Sequence, residues 1–302
     1  MTLLSALLVV SLAGCESEFA AKPDSPADPF APAYGEATGW REVGAGSAGA
    51  CALDSAGAVV GWGGAERMCE ALSEVGPISG MHMGEQTACG VSPRGTLAIA
   101  HAGRPRAAVG PLAPQLTRVE CPGDGRWAGQ TVAHMWRTGF SGLVPAGPIR
   151  DFSLSPALGE CAYWIDGPGA VRMHCDWGQT VVAEFQGRYV EVAAFTGGAC
   201  AVEESGAVEC HLQAPERYGI ETDLRLTGLN INEEFMCGVD EDGFAHCFDA
   251  VRESSGDDPL LYPPDIPVHG IAGTAGTNCA LTNEDSRIVC WGSLGGGLDT
   301  PP

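Results

Sequence analysis

The chain has 302 residues, 38 of them acidic and 16 basic, for a formal net charge of −22, with Lys22 as its single lysine. That balance excludes the concentrated positive surface which a duplex-binding protein presents to phosphates, so no nucleic-acid partner is expected. A body this negative also resists self-association and repels anionic lipid headgroups.

Residues 3–13, LLSALLVVSLA, form an apolar run too short to span a bilayer as a mature helix. Their position is that of a signal peptide's hydrophobic region, and residues 1–14 are read as one. The run ends LAGC, which resembles the bacterial lipoprotein cleavage box: cleavage before Cys15 leaves its thiol to carry lipid. The expected location is therefore the bacterial cell envelope, as an outer-membrane lipoprotein that touches the membrane through its acyl group alone. Residues 15–39, rich in Ala, Pro, Ser and acidic groups, read as a flexible tether. Part of that tether can return as the outer strand of a final blade. Residues 40–302 read as one β domain.

Within that domain one short object recurs. Cys200–Cys210 reads CAVEESGAVEC and Cys237–Cys247 reads CGVDEDGFAHC. As an antiparallel pair, the first centres on Ser205, so that Val202 faces Val208 and Cys200 faces Cys210. Gly206 then takes the loop position that needs the left-handed conformation, which glycine adopts without steric cost. Directly opposed Cβ atoms lie about 5 Å apart, within reach of a disulfide. The same template fits CALDSAGAVVG at Cys51, CGVSPRGTLAI at Cys89, the longer CAYWIDGPGAVRMHC at Cys161 and CALTNEDSRIVC at Cys279.

The first cysteines lie at 51, 89, 161, 200, 237 and 279, so the gaps are 38, 72, 39, 37 and 42. The double gap predicts a degenerate unit near WAGQTVAHMW (127–136), turning on Gly129. Lead-in segments such as REVGAG (41–46), PISGMH (77–82), IRDFSL (149–154) and YVEVAAF (189–195) read as strands about ten residues upstream of the hairpins. One lead-in, one hairpin and an outer segment give about four strands per unit. Seven such units predict an all-β fold, a seven-bladed β-propeller, with six or eight blades as the neighbouring counts.

Setting aside Cys15, the remaining 12 of the 13 cysteines suit an oxidising compartment. The hairpin template pairs Cys161 with Cys175, Cys200 with Cys210, Cys237 with Cys247 and Cys279 with Cys290. Cys51 with Cys69 and Cys89 with Cys121 complete the set, although spacing alone does not determine connectivity.

Two stretches, IAGTAGTNCALTNEDSRIVCWGS (271–293) and VGAGSAGACALDSAGAVVGWGG (43–64), resemble the regulator of chromosome condensation repeat. The pattern falls on Ala272-Gly273, Cys279-Ala280-Leu281 and Cys290-Trp291-Gly292, and in the first unit on Ala45-Gly46, Cys51-Ala52-Leu53 and Trp62-Gly63. The resemblance implies a seven-bladed propeller. It carries no chromatin or nucleotide-exchange activity across, because no residue set here matches one.

GAGSAG (44–49) satisfies GxGxxG, but a strand follows it where a dinucleotide fold needs a helix, so no nucleotide or other cofactor is expected. DEDG (240–243) and NEDS (283–286) sit at hairpin turns, which Asp and Asn favour through local hydrogen bonds. His174, His211 and His246 lie beside closing cysteines, but those thiols are read as disulfides and no metal is expected. The acids Glu203, Glu204, Glu233, Glu234, Glu241 and Asp242 cluster near loops, where paired carboxylates could act on glycosidic bonds. Trp62 and Trp291 repeat and read as blade packing. Trp127, Trp136, Trp164 and Trp177 depart from the repeat and are the candidate binding surface. The reading is a lipid-anchored platform for an envelope protein or glycan, with a carbohydrate-active or lyase-type enzyme and a structural envelope subunit as the alternatives.

Overall fold

A computed structural model describes residues 33–110, 116–121, 127–131, 136–138, 147–155, 161–175, 179–181, 185, 187–195, 197–212, 223–232, 235–249, 262–274, 276–292, 298 and 301–302. After a short strand β1 (Ala33–Tyr34), seven small antiparallel sheets follow in chain order. The first holds β2 (Trp40–Gly46), β3 (Gly49–Asp54) and β4 (Val59–Trp62), followed by helix α1 (Glu66–Glu74). The second holds β5 (Gly80–Met83), β6 (Thr87–Val91), β7 (Leu97–His101) and β8 (Arg104–Gly110). The third holds β9 (Leu116–Glu120), β10 (Ala128–Thr131) and β11 (Trp136–Thr138). The fourth holds β12 (Ile149–Leu154), β13 (Cys161–Asp166), β14 (Val171–Cys175) and β15 (Gln179–Val181). The fifth holds β16 (Tyr189–Phe195), β17 (Gly198–Glu203) and β18 (Val208–Leu212), and the sixth β19 (Thr227–Ile231), β20 (Phe235–Val239) and β21 (Ala245–Asp249). The seventh holds β22 (Val268–Thr274), β23 (Thr277–Thr282) and β24 (Ile288–Gly292), with β1 added at its outer edge.

The first strand of each sheet packs beside the first strand of the next, β2 on β5, β5 on β9, β12 on β16, β16 on β19 and β19 on β22. Between the third and fourth sheets Arg118 binds Asp151. β22 then returns to β2, which makes the sheets the seven blades of a propeller. Buried clusters sit between neighbouring blades. One joins Tyr163 and Ile165 to Tyr189 and Ala201, and another joins Val43, Ala50 and Trp62 to Cys279, Leu281 and Ile288.

Five hairpins turn where the glycine spacing predicts. Gly57, Gly95, Gly169, Gly206 and Gly243 all have positive φ, and Ser286 takes the slot in the longer seventh loop at φ 54°. These turns also couple blades. The carbonyls of Gly57, Gly169, Gly206 and Gly243 accept the N–H groups of Ile78, Tyr189, Leu226 and Val268, each at the head of the next blade.

Part of the stretch read as tether returns as expected: residues 33–34 pair with Cys290 and Val289 as the outer strand of the last blade. Two expectations need correction. Gly129 is no turn residue: it lies inside β10, paired with Val119 and Arg137. The strand before it, Leu116–Glu120, is the lead-in that the sequence did not reveal. The first blade places a helix, not a strand, outside β4. Glu66–Glu74 buries Met68, Cys69, Ala71 and Leu72, one face of a short helix.

That helix explains an exception to the hairpin staple. Gly61 stands opposite Cys51, where other blades place a second cysteine, and Cys51 bonds instead to Cys69 on α1. A Cβ on Gly61 would lie 2.5 Å from Cys69 Sγ. Gly61→Ala is therefore expected to destabilise the protein by about 1–3 kcal/mol in urea unfolding, since a bonded sulfur cannot step aside; an unchanged midpoint would show that α1 is not seated there.

Candidate functional site: the axial cavity

The innermost strand of a blade has one edge without a ladder partner, and its N–H groups need acceptors. Acidic side chains supply them across the seams. Glu42, Asp151 and Glu191 occupy the same place, the third residue of β2, β12 and β16, where the register shifts. Glu42 Oε2 accepts the Met81 N–H at 3.1 Å, and Asp151 Oδ2 accepts the Val192 N–H at 2.8 Å. Glu191 accepts from both Gly228 and Leu229. Glu120 Oε2 accepts the Leu154 N–H at 2.9 Å, and His82 Nδ1 accepts the Cys121 N–H at 3.1 Å. Donor and acceptor are 34 to 41 residues apart, one repeat, so the same device links successive blades.

These strands enclose an axial cavity of about 610 Å³, to which all seven contribute. Its two walls differ. The first three blades bring Arg41, Glu42, His82, Glu85, Arg118 and Glu120; the last three bring mainly Ala193, Ala194, Leu229, Ile231, Ile271 and Ala272, with Glu191 at their edge. Arg118 anchors the charged wall. Its guanidinium binds Glu120 at 2.8 Å, bonds Asp151 of the next blade, and lies 5.1 Å over the Phe152 ring. Glu120 and Asp151 are buried, and pairing to Arg118 and to backbone N–H groups offsets the cost of their charge. Burial raises the Glu42 pKa to about 7, against the opposing pull of the Met81 N–H, Arg41 and Arg118. Burial also holds His82 below the usual histidine value, so it is neutral.

The residues singled out in the sequence are dispersed. Cys200–Cys210, Cys237–Cys247 and Cys279–Cys290 are bonded across their hairpins, Cys51–Cys69 ties β3 to α1, and Cys89–Cys121 ties the second blade to the third. Cys161 is disulfide-bonded and stands opposite Cys175 in register. That pair sits one step further from its turn than in the other hairpins; Tyr163 and Met173 fill the usual slot. Trp127 and Trp164 form no binding surface. At 8% and 7% exposure they are core residues, Trp127 among Cys89, Leu97 and Leu116, and Trp164 among Ala128 and Phe152. Trp136 belongs to β11, with its side chain outside the description, and Trp177, Cys15, Glu233 and Glu234 lie outside the described residues. His174 is on β14, His211 approaches Phe185, and His246 binds Asp240 in its own hairpin; none lines the cavity. Glu203 ends β17, and Glu204, Glu241 and Asp242 are turn residues, all away from the cavity lining. Of the acids that do line it, Glu42 and Glu191 share with Asp151 a recurrence at the head of three lead-ins, WRE, IRD and YVE; Glu85 and Glu120 carry no such mark.

No protein-family model matches this sequence, and no curated protein matches it. Among solved structures, the chain is similar to the CRINKLY WD40 ectodomain of the Arabidopsis thaliana receptor kinase ACR4, at 14% identity and TM-score 0.62, over 90% of this chain and 98% of that one. It is similar to the ectodomain of the Physcomitrella patens receptor kinase CR4, at 16% identity and TM-score 0.64, over 85% and 74%. It is also similar to YCF48 in the structure of YCF48 bound to D1 peptide, at 10% identity and TM-score 0.53, over 89% and 97%. These likenesses establish the class, a disulfide-rich all-β propeller.

The raised pKa of Glu42 has a stability consequence. The folded state holds its proton up to about pH 7, whereas the unfolded chain releases it near 4.5. Folding stability from this group therefore falls as pH rises between those values. Glu42→Gln keeps a carbonyl for the Met81 N–H and removes that slope. Relative to wild type, its unfolding free energy is expected to climb between pH 4.5 and 7, by up to about 3 kcal/mol. A pH-independent difference would show that Glu42 titrates normally.

Proposed function

We propose that this chain is a lipid-anchored extracytoplasmic propeller of the bacterial cell envelope, a divergent relative of the regulator of chromosome condensation repeat proteins. Its axial cavity binds a segment of an envelope protein or a glycan. The observation that carries the reading is the cavity itself: about 610 Å³, within the usual range for ligand sites, with a charged wall facing an apolar one. A peptide or sugar presents both polar edges and apolar faces, and such a site can hold both. YCF48, similar in fold, has been solved with a peptide bound. The LAGC sequence supports the anchor at Cys15, and the cysteine pairs suit an oxidising compartment.

Binding is favoured over catalysis by how the acids are used. Glu120, Asp151 and Glu191 each have both carboxylate oxygens engaged. Glycosidic chemistry needs two carboxyl groups free to exchange protons or attack; among the described cavity residues that leaves Glu42, with one oxygen held by the Met81 N–H, and the exposed Glu85.

Tagged full-length protein isolated from membranes tests both parts. Thr117→Trp, at an exposed position of the cavity wall, is expected to cut recovery of the partner by about tenfold or more while leaving the protein on the membrane. Cys15→Ser is expected to move it to the soluble fraction. Full recovery with Thr117→Trp would place the contact elsewhere, and a membrane-bound Cys15→Ser protein would remove the lipid anchor.

A further inference from the structure

Cys89–Cys121 joins two blades, whereas the other disulfides with both ends described each lie within one. His82 stands opposite Cys89 in the β5–β6 register. A nitrogen of His82 and the two sulfurs all lie within 4.8 Å of one another, with Nδ1 3.9 Å from Cys121 Sγ. In a tetrahedral zinc site, metal–nitrogen and metal–sulfur bonds of about 2.05 and 2.3 Å separate N from S by about 3.6 Å. His82 Nδ1 and Cys121 Sγ are thus a few tenths of an ångström from the spacing of two ligands, while the two bonded sulfurs must part. Its placement does not rest on the S–S bond alone. The Cys121 N–H is held by His82 Nδ1 at 3.1 Å, and both cysteines are fully buried among Val91, Leu97, Leu116 and Val119. The 6.2 Å between their Cα atoms leaves room for the sulfurs to part to about 3.8 Å, the spacing of two thiolates on one zinc.

We propose that His82, Cys89 and Cys121 form a redox-gated site for a soft divalent cation of the zinc class, closed while the disulfide is intact and opened by its reduction. A dithiol reductant transfers two electrons and two protons to the S–S bond, leaving two protein thiols and becoming a disulfide itself. Each thiol then releases its proton as its sulfur binds the cation, and neutral His82 offers the Nδ1 lone pair in place of the Cys121 N–H bond. Because His82 lines the axial cavity, the fourth position opens there, to water or to a ligand. Reduction thereby exchanges a covalent seam between the second and third blades for a metal-held one, and adds a Lewis-acidic centre, neutral overall with its two thiolates, beside the charged wall.

The test uses the full chain, reduced with a dithiol, freed of it and titrated anaerobically with Co²⁺, while far-UV circular dichroism monitors the fold. One equivalent is expected to bind with thiolate–cobalt charge-transfer absorption, and only after reduction. Affinity should rise with pH by up to about 100-fold per unit, since two protons leave. His82→Ala should weaken binding by about tenfold or more, and Cys121→Ser should abolish the absorption, whereas the double variant Cys200→Ser/Cys210→Ser should bind as wild type. Unfolding on reduction, no cobalt bound, or equal binding by His82→Ala would each overturn the proposal.

Discussion

The constraint on which everything else rests is closure. A three-stranded sheet cannot bury its own apolar face, so each blade depends on two neighbours, and the first and last blades have two only if they meet. Ala33 and Tyr34 make that junction, pairing with Cys290 and Val289 as the outer strand of the seventh blade. Three more hydrogen bonds extend the seam, from the N–H groups of Gly35, Gly39 and Trp40 to the carbonyls of Ile288, Asp285 and Ser286. From the other terminus, Leu298 packs beside Val43, Trp62 and Leu281. One edge of the ring is thus joined by backbone from both ends of the domain.

The seams and the cavity are built from the same side chains. A carboxylate that satisfies the next blade's inner strand must stand near the axis, so the hydrogen bonds that hold the ring also charge its centre. Asp151 shows both roles, accepting from Val192 and pairing with Arg118. Where the inner strand carries no acid, as in β22, the wall is small and apolar. The seam acids account for part of the two-faced wall: Glu42 and Glu120 stand on its charged side, and Glu191 at the edge of the apolar one. Glu120, Asp151 and Glu191 are therefore already engaged in holding the ring.

The parts legible in the sequence were the local ones. Hairpin registers at Cys200–Cys210 and Cys237–Cys247 follow from a glycine that must turn and two cysteines that must face. The third blade escaped because its lead-in, LTRVE, and its Gly129 lack both marks, and the sequence offered a glycine inside a strand as if it were a turn. Helix α1 escaped because ERMCEALSE, an amphipathic stretch of about two and a half turns, falls where the repeat leads one to expect a fourth strand. Of the aromatic candidates, Trp127 and Trp164 are buried in clusters between blades, where a large ring fills the seam. The placing of Glu42, Asp151 and Glu191 depends on the bulge after the first residue of their strands, a feature no hairpin template contains.

Closure can be tested directly by native-state hydrogen exchange on a chain lacking residues 33–39. If the ring is held as described, amides of β24, β22 and β2 lose protection together, and the loss reaches the inner strands of the remaining blades. Protection that stays unchanged, or that is lost only at β24 itself, would mean the blades stand without being joined into a circle.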